Sequence, residues 1–195
     1  MYDNYGIYTS CRDAAWRFLI DFNICSLPVK LRSAARMAGI RIVRNSHVKE
    51  LRHNEVGASI FLPSKEWVIV YDDTLKATEA RMVIAHELGH ILLGHEYKYS
   101  EQRFAYDGKK LKSEREADMF ALRILAPACV LHEMRAISAS QICNICDIPI
   151  THAAARAKRM CLLEKRDCFY RSDLESKVRD NFQKYIDTAI SDKVY

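Results

Sequence analysis

"RMVIAHELGHILLGH", Arg81–His95, is apolar over most of its length, yet three histidines and a glutamate interrupt it. Met82, Val83, Ile84, Ala85, Leu88, Ile91, Leu92 and Leu93 make it apolar nearly all round, the pattern of a buried helix. Two imidazoles and a carboxylate buried without partners would cost several kcal/mol. A bound metal removes that objection. His86-Glu87-Leu88-Gly89-His90 is an H-E-x-x-H pattern. On a helix its two histidines lie about 40° apart in azimuth and one turn apart along the axis, so both can reach one Zn²⁺. Glu87, next to the first histidine, can reach a water on that metal without ligating it. It is the candidate general base, taking the water's proton and passing it to a leaving amine.

A catalytic zinc needs a third protein ligand. His95 is the nearest histidine, but the extended three-histidine pattern requires it six residues after the second, and here the offset is five. If the helix continues, His95 lies about 140° from His90 and faces away, as a surface histidine at the helix end. The other source is "SEREADMFALRILAP", Ser113–Pro127, with Glu114, Glu116 and Asp118 as candidates. Glu114 and Asp118 are four apart and share a face, flanked by Ala117 and Ala121, which would let this helix pack closely on the histidine helix. Glu116 lies about 160° away and reads as a solvated charge. The face argument favours Glu114 as ligand, with Asp118 accepting from the free ring N–H of a ligand histidine and so orienting it.

The chain around these motifs reads as α+β. Helices are expected over residues 11–24, over 29–40 closed by Gly39, over about 75–95 capped by Asp72 or Asp73, and over about 113–125 stopped near Pro127. "RIVRN", "ASIFL" and "EWVIVY" read as strands, the last two as a pair joined by Pro63-Ser64-Lys65. From Ser138 onward the pattern is helical. A pair of helices carries "QICNIC" and "THAAARAKRM", and a last helix over about 172–190 opens with a Ser172/Glu175 capping box. The expected architecture is a small mixed or antiparallel sheet packed on a central H-E-x-x-H helix, with a helical C-terminal third. Residues 1–134 would be a metallopeptidase core and 135–195 a helical region, with one continuous domain as the alternative.

Composition limits the function classes. The chain has 195 residues and a formal net charge of +5, mildly basic and short of a strong nucleic-acid signature. Seven scattered cysteines make no regular disulfide framework, so a reduced, cytoplasmic setting is expected. No signal peptide and no membrane span are expected, because the apolar runs are too short.

The paired motifs, "IAHELGHILLGH" (84–95) followed by "EREADMFALRILAP" (114–127), resemble those of the ImmA/IrrE family of zinc metallo-endopeptidases. The N-terminal "AAWRFLI…LPVKL" and the "WVIVYDD" strand extend the likeness, which covers about residues 11–159. The resemblance implies one Zn²⁺ held by His86, His90 and Glu114, with Glu87 as catalytic base. It departs at Asp118, where the family often has Asn, and at "MVI" before Ala85, where Arg-Phe-Thr is common. It further implies a protein substrate, a DNA-binding repressor whose cleavage relieves repression, as in phages and mobile elements.

Weaker signals need separate readings. "EWVIVY" would serve substrate binding if it is an exposed sheet edge, since an extended peptide could pair with it. The oxyanion donor is left open among Tyr97, Tyr99, Tyr106, His132 and His152. Cys143-x-x-Cys146 lacks a partner pair at zinc spacing and reads as buried thiols. Arg156, Lys158 and Arg159 on the second helix of a helix-turn-helix-like pair could dock DNA, but they are few, and nucleic-acid binding is not the expected role. The rival to proteolysis is a zinc-containing regulator that acts by protein or DNA binding alone.

Overall fold

The computed structural model describes residues 3–95 and 112–191, with side chains from Cys11 onward. The chain divides into two compact units, Met1–Ala14 with Lys30–Ala121, and Ala15–Val29 with Leu122–Tyr195. The α+β class holds, with a three-stranded sheet and a helical C-terminal portion.

The first unit contains the sheet. Helix α1 (Asp3–Asp21) begins in it, and α2 (Leu31–Met37) leads into strand β1 (Ile40–Arg44) through Gly39, whose φ of +74° ends the helix. A single helical turn, α3 (Asn45–Val48), follows. Strand β2 (Gly57–Phe61) turns through Leu62–Glu66 into β3 (Trp67–Tyr71). That turn is closed by Leu62 N–H donating to Glu66 O at 2.9 Å, with Lys65 at positive φ.

The strand order is β1-β3-β2, with β1 parallel and β2 antiparallel to β3. Of the two readings open for "EWVIVY", an exposed sheet edge or an ordinary structural strand, the structure has the second. β3 is the middle strand, hydrogen-bonded on both sides, and Val68 to Tyr71 are all buried. A continuous apolar run is what a central strand needs, because both of its faces are covered. Among the described residues the edges fall to β1 and β2.

Helix α4 (Ala77–Leu92) packs on the sheet, burying Met82, Ile84, Ala85 and Leu88. Neither Asp72 nor Asp73 caps it. Asp72 Oδ1 accepts from the Thr74 amide and hydroxyl, and Asp73 accepts from Ser46, so both carboxylates are engaged before the helix begins. Glu79 Oε2 lies 3.4 Å from the Lys76 amide and supplies the N-terminal acceptor instead. The helix ends at Leu92, with Gly94 at φ +65°, the His95 amide donating to His90 O at 3.1 Å and the Gly94 amide donating to Ile91 O at 3.2 Å. These bonds form a Schellman turn, which reverses the chain. Helix α5 (Lys112–Leu125) belongs to this unit as far as Ala121.

The second unit holds α6 (Ala128–Glu133), α7 (Ala139–Cys146), α8 (Ile150–Lys165) and α9 (Asp173–Ser191) around Leu131, Ile142, Ile148, Met160, Phe182 and Ile186. Ser138 caps α7 by accepting from the Gln141 amide, and Gln141 reaches back to the Ser138 amide. Asp147, at φ 52°, makes the turn to α8. No helix among the described residues is long and apolar enough to cross a membrane.

Candidate metal centre

His90 follows His86 by four positions of helix, and the structure puts both rings on one face. Their centroids are 4.6 Å apart and their Nε2 atoms 2.9 Å apart. Helix α5 brings a carboxylate to the same point. Glu114 Oε2 lies 3.3 Å from His86 Nε2, and Oε1 lies 3.4 Å from His90 Nε2. One donor atom from each of the three residues falls within a mutual 4.8 Å, and this is the one such group of His, Cys, Asp and Glu among the described residues. Two imidazole nitrogens and a carboxylate oxygen suit a divalent metal such as zinc. His90 and Glu114 are buried, whereas His86 is partly open, so the donor set is shielded yet approachable.

Close helix packing makes this convergence possible. A Cβ on Gly89 would stand 3.0 Å from Ala117 Cα and 3.3 Å from Ala117 Cβ. Glycine on one helix faces alanine on the other, so the backbones meet almost directly. Ala117 is fully buried at the contact, and Glu114 sits one turn before it.

Asp118 Oδ1 lies 2.9 Å from His86 Nδ1. That bond places the Nδ1 proton toward the carboxylate and turns Nε2 toward the donor group. Without a metal, burial would lower the His86 pKa, but its hydrogen bonds to Asp118 and Glu114 overrule burial and raise it to about 10. Burial likewise opposes ionisation of Glu114, but the His86 and His90 rings facing it at 3.3 and 3.4 Å hold it at about 2. Burial dominates at His90, which falls to about 4.

His95 departs from its expected place. Its side chain is only 8% exposed, and its Nδ1 lies 2.9 Å from His90 Nδ1. The angular argument assumed a continuing helix, whereas the turn at Gly94 ends it and folds His95 back beneath His90. Glu116 is no solvated charge either, because its Oε2 lies 3.2 Å from His95 Nε2. The local signal for both was Gly94, a helix-terminating residue one position before His95. His95 nonetheless lies outside the group of three metal-capable residues.

Glu87 is buried on the α4 flank facing β2. Ser59 was not singled out from the sequence. Its hydroxyl donates to Glu87 Oε2 at 2.6 Å and lies 3.2 Å from the Glu87 carbonyl. The available signal was a lone polar residue in the apolar run "ASIFL". Burial raises the Glu87 pKa, while the charge on His86 and the Ser59 hydroxyl pull it down.

Among the oxyanion candidates, Tyr97, Tyr99 and Tyr106 lie outside the described residues. His132 is engaged with Glu164 at 2.6 Å and stacks on Phe169, and His152 is exposed on α8. Cys143 donates to Ile148 O and Cys146 is buried, so this pair acts as packed thiols. Arg156 is buried, with Nη2 donating to Leu122 O at 2.7 Å, which removes it from any DNA-docking face.

No curated protein matches the sequence. Residues 36–142 match the family described as Peptidase_M78, IrrE N-terminal-like domain, a span that includes His86, Glu87, His90 and Glu114. Because the match extends over more than half of the chain, the protein belongs to the IrrE N-terminal-like domain family of peptidases.

Proposed function

We propose that this protein is a cytoplasmic zinc-dependent endopeptidase that cleaves a specific regulatory protein, such as a helix-turn-helix repressor, and thereby relieves repression. The observation that carries the reading is the meeting of His86, His90 and Glu114 donor atoms within 4.8 Å, with Glu87 buried beside them. When bound, zinc supplies Lewis acidity at this point. A purely structural site would need no base and would usually close its fourth position with protein.

In this reading His86, His90 and Glu114 hold the metal, and Asp118 keeps the His86 ring in register. Glu87 is the general base. Ser59 donates to its Oε2, so the proton of the attacking water is taken at Oε1 and delivered to the leaving amine nitrogen. The substrate approaches along β2, which pairs with β3 on one side and carries Ser59 next to Glu87. An extended peptide adding to that edge would run beside the base. The choice of a repressor as target rests on the family likeness alone, and a helix-turn-helix protein encoded beside this one is the first substrate to test.

Glu87→Gln keeps the size and the Ser59 contact but removes the base. Loss of a positioned base costs roughly 10²–10⁴-fold in rate. The expected result is abolished cleavage with zinc still bound. Undiminished cleavage would overturn the mechanism, and wild-type protein that holds zinc and its partner but never cuts it would favour the non-proteolytic regulator.

A further inference from the structure

We infer that His95 and Glu116 form a positioning relay for His90, fixing the ring tautomer in which Nε2 presents its lone pair to the metal. The inference rests on the metal-binding role proposed above for His90 and adds two residues to it.

The argument is one of donors and acceptors. A neutral imidazole has one N–H and one bare nitrogen. For His90 Nε2 to serve as a ligand, the ring proton must sit on Nδ1, and a buried N–H needs an acceptor. The atom 2.9 Å from His90 Nδ1 is His95 Nδ1, which must then be bare. The His95 proton is thereby placed on Nε2, where Glu116 Oε2 stands 3.2 Å away to accept it. Each step fits the next, and the relay ends on a carboxylate. Lys112 Nζ stands 3.8 Å from Glu116 Oε1, one turn earlier on the same helix.

The two histidine ligands are thus held by different means. His86 gives its Nδ1–H directly to Asp118, whereas His90 reaches Glu116 through a second imidazole. The reason is geometric. The Schellman turn brings His95 back to the His90 carbonyl, so the imidazole occupies the space where a carboxylate would otherwise have to stand. Glu114, Glu116 and Asp118 of α5 therefore all serve this centre, one as ligand and two as orienting acceptors.

The test compares two substitutions in the full chain. His95→Phe keeps the ring volume but offers no acceptor, and His95→Asn places an amide oxygen near the position of Nδ1. Zinc affinity is read by competition with a chromogenic chelator. His95→Phe should bind roughly 10–100-fold more weakly, the usual cost of losing an orienting partner, and His95→Asn should stay within a few-fold of wild type. If packing alone mattered, the order would reverse. ¹⁵N chemical shifts of the His90 ring in metal-free wild-type protein give a reading that needs neither a variant nor zinc, with the proton expected on Nδ1. His95→Phe binding as tightly as wild type, or a His90 proton found on Nε2, would overturn the relay. Wild-type protein that takes up no zinc would overturn the metal reading instead, leaving the His90 tautomer to decide the relay.

Discussion

Gly89→Ala tests whether the helix contact sets the metal centre. The added Cβ would stand 3.0 Å from Ala117 Cα and 3.2 Å from Ala117 O. Carbon atoms rest comfortably at about 3.5–4.0 Å, so α5 must retreat by roughly 0.5–1 Å. The obstacle is helix backbone at a fully buried residue, not the end of a flexible side chain. Stability should hold or fall. Alanine gains about 0.5–1 kcal/mol over glycine within a helix, and overpacking costs about 1–3 kcal/mol, leaving a net loss of roughly 0–2.5 kcal/mol. Metal binding should suffer more, because Glu114 moves with α5 and ligand distances are tolerated only to about 0.2 Å. The expected loss is at least the roughly tenfold that follows removal of a single orienting partner. Zinc competition and a urea melt of the metal-free protein, run side by side, separate the two effects. A Gly89→Ala protein that binds zinc as tightly as wild type would refute the claim that this contact sets the position of Glu114.

Two further perturbations address the base and the first histidine. Ser59→Ala removes a donor that lowers the Glu87 pKa, so the acid limb of the pH–rate profile for kcat/KM should move to higher pH, and stability should fall by about 1–3 kcal/mol. An unmoved limb would show that Ser59 does not tune the base. In the metal-free protein His86 is raised from 6.5 to about 10, so its stabilising contribution is complete below pH 6.5 and is lost as pH climbs through about 10. At pH 7 to 8 zinc must therefore displace the His86 proton, which predicts release of about one proton, measurable by calorimetry in buffers of different ionisation enthalpy. Asp118→Asn should reduce that release, because it removes the leading group that holds the proton in place. Equal release from both proteins would contradict the assignment.

Much of the centre was legible because its determinants are local. Helical spacing by itself puts His86 and His90 on one face, and the same spacing puts Glu114 and Asp118 on another, with small residues marking where two helices could meet. Those relations depend only on the geometry of a single helix. His95 was misread because its position depends on where α4 stops. The arithmetic of a continuing helix gives the opposite direction from a chain reversed at Gly94. Glu116 followed His95 into error, since its partner is reached only through that reversal.

The sequence by itself determined most of the helices and strands, the α+β class, the family and the chemical identity of the candidate donor set, all of which follow from residue type and short-range periodicity. Only the tertiary structure decided which strand lies in the middle of the sheet, that Ser59 meets Glu87 across 28 positions of sequence, and that α5 approaches α4 closely enough for Glu114 to reach both histidines. Strand order and helix approach are set by contacts between segments distant in the chain, and no local period encodes them. The same holds for the environment of each titrating group. His86 and His90 are the same residue type four positions apart, yet their proton affinities move in opposite directions, because Asp118 and Glu114 together outweigh burial at the first, whereas burial outweighs Glu114 alone at the second.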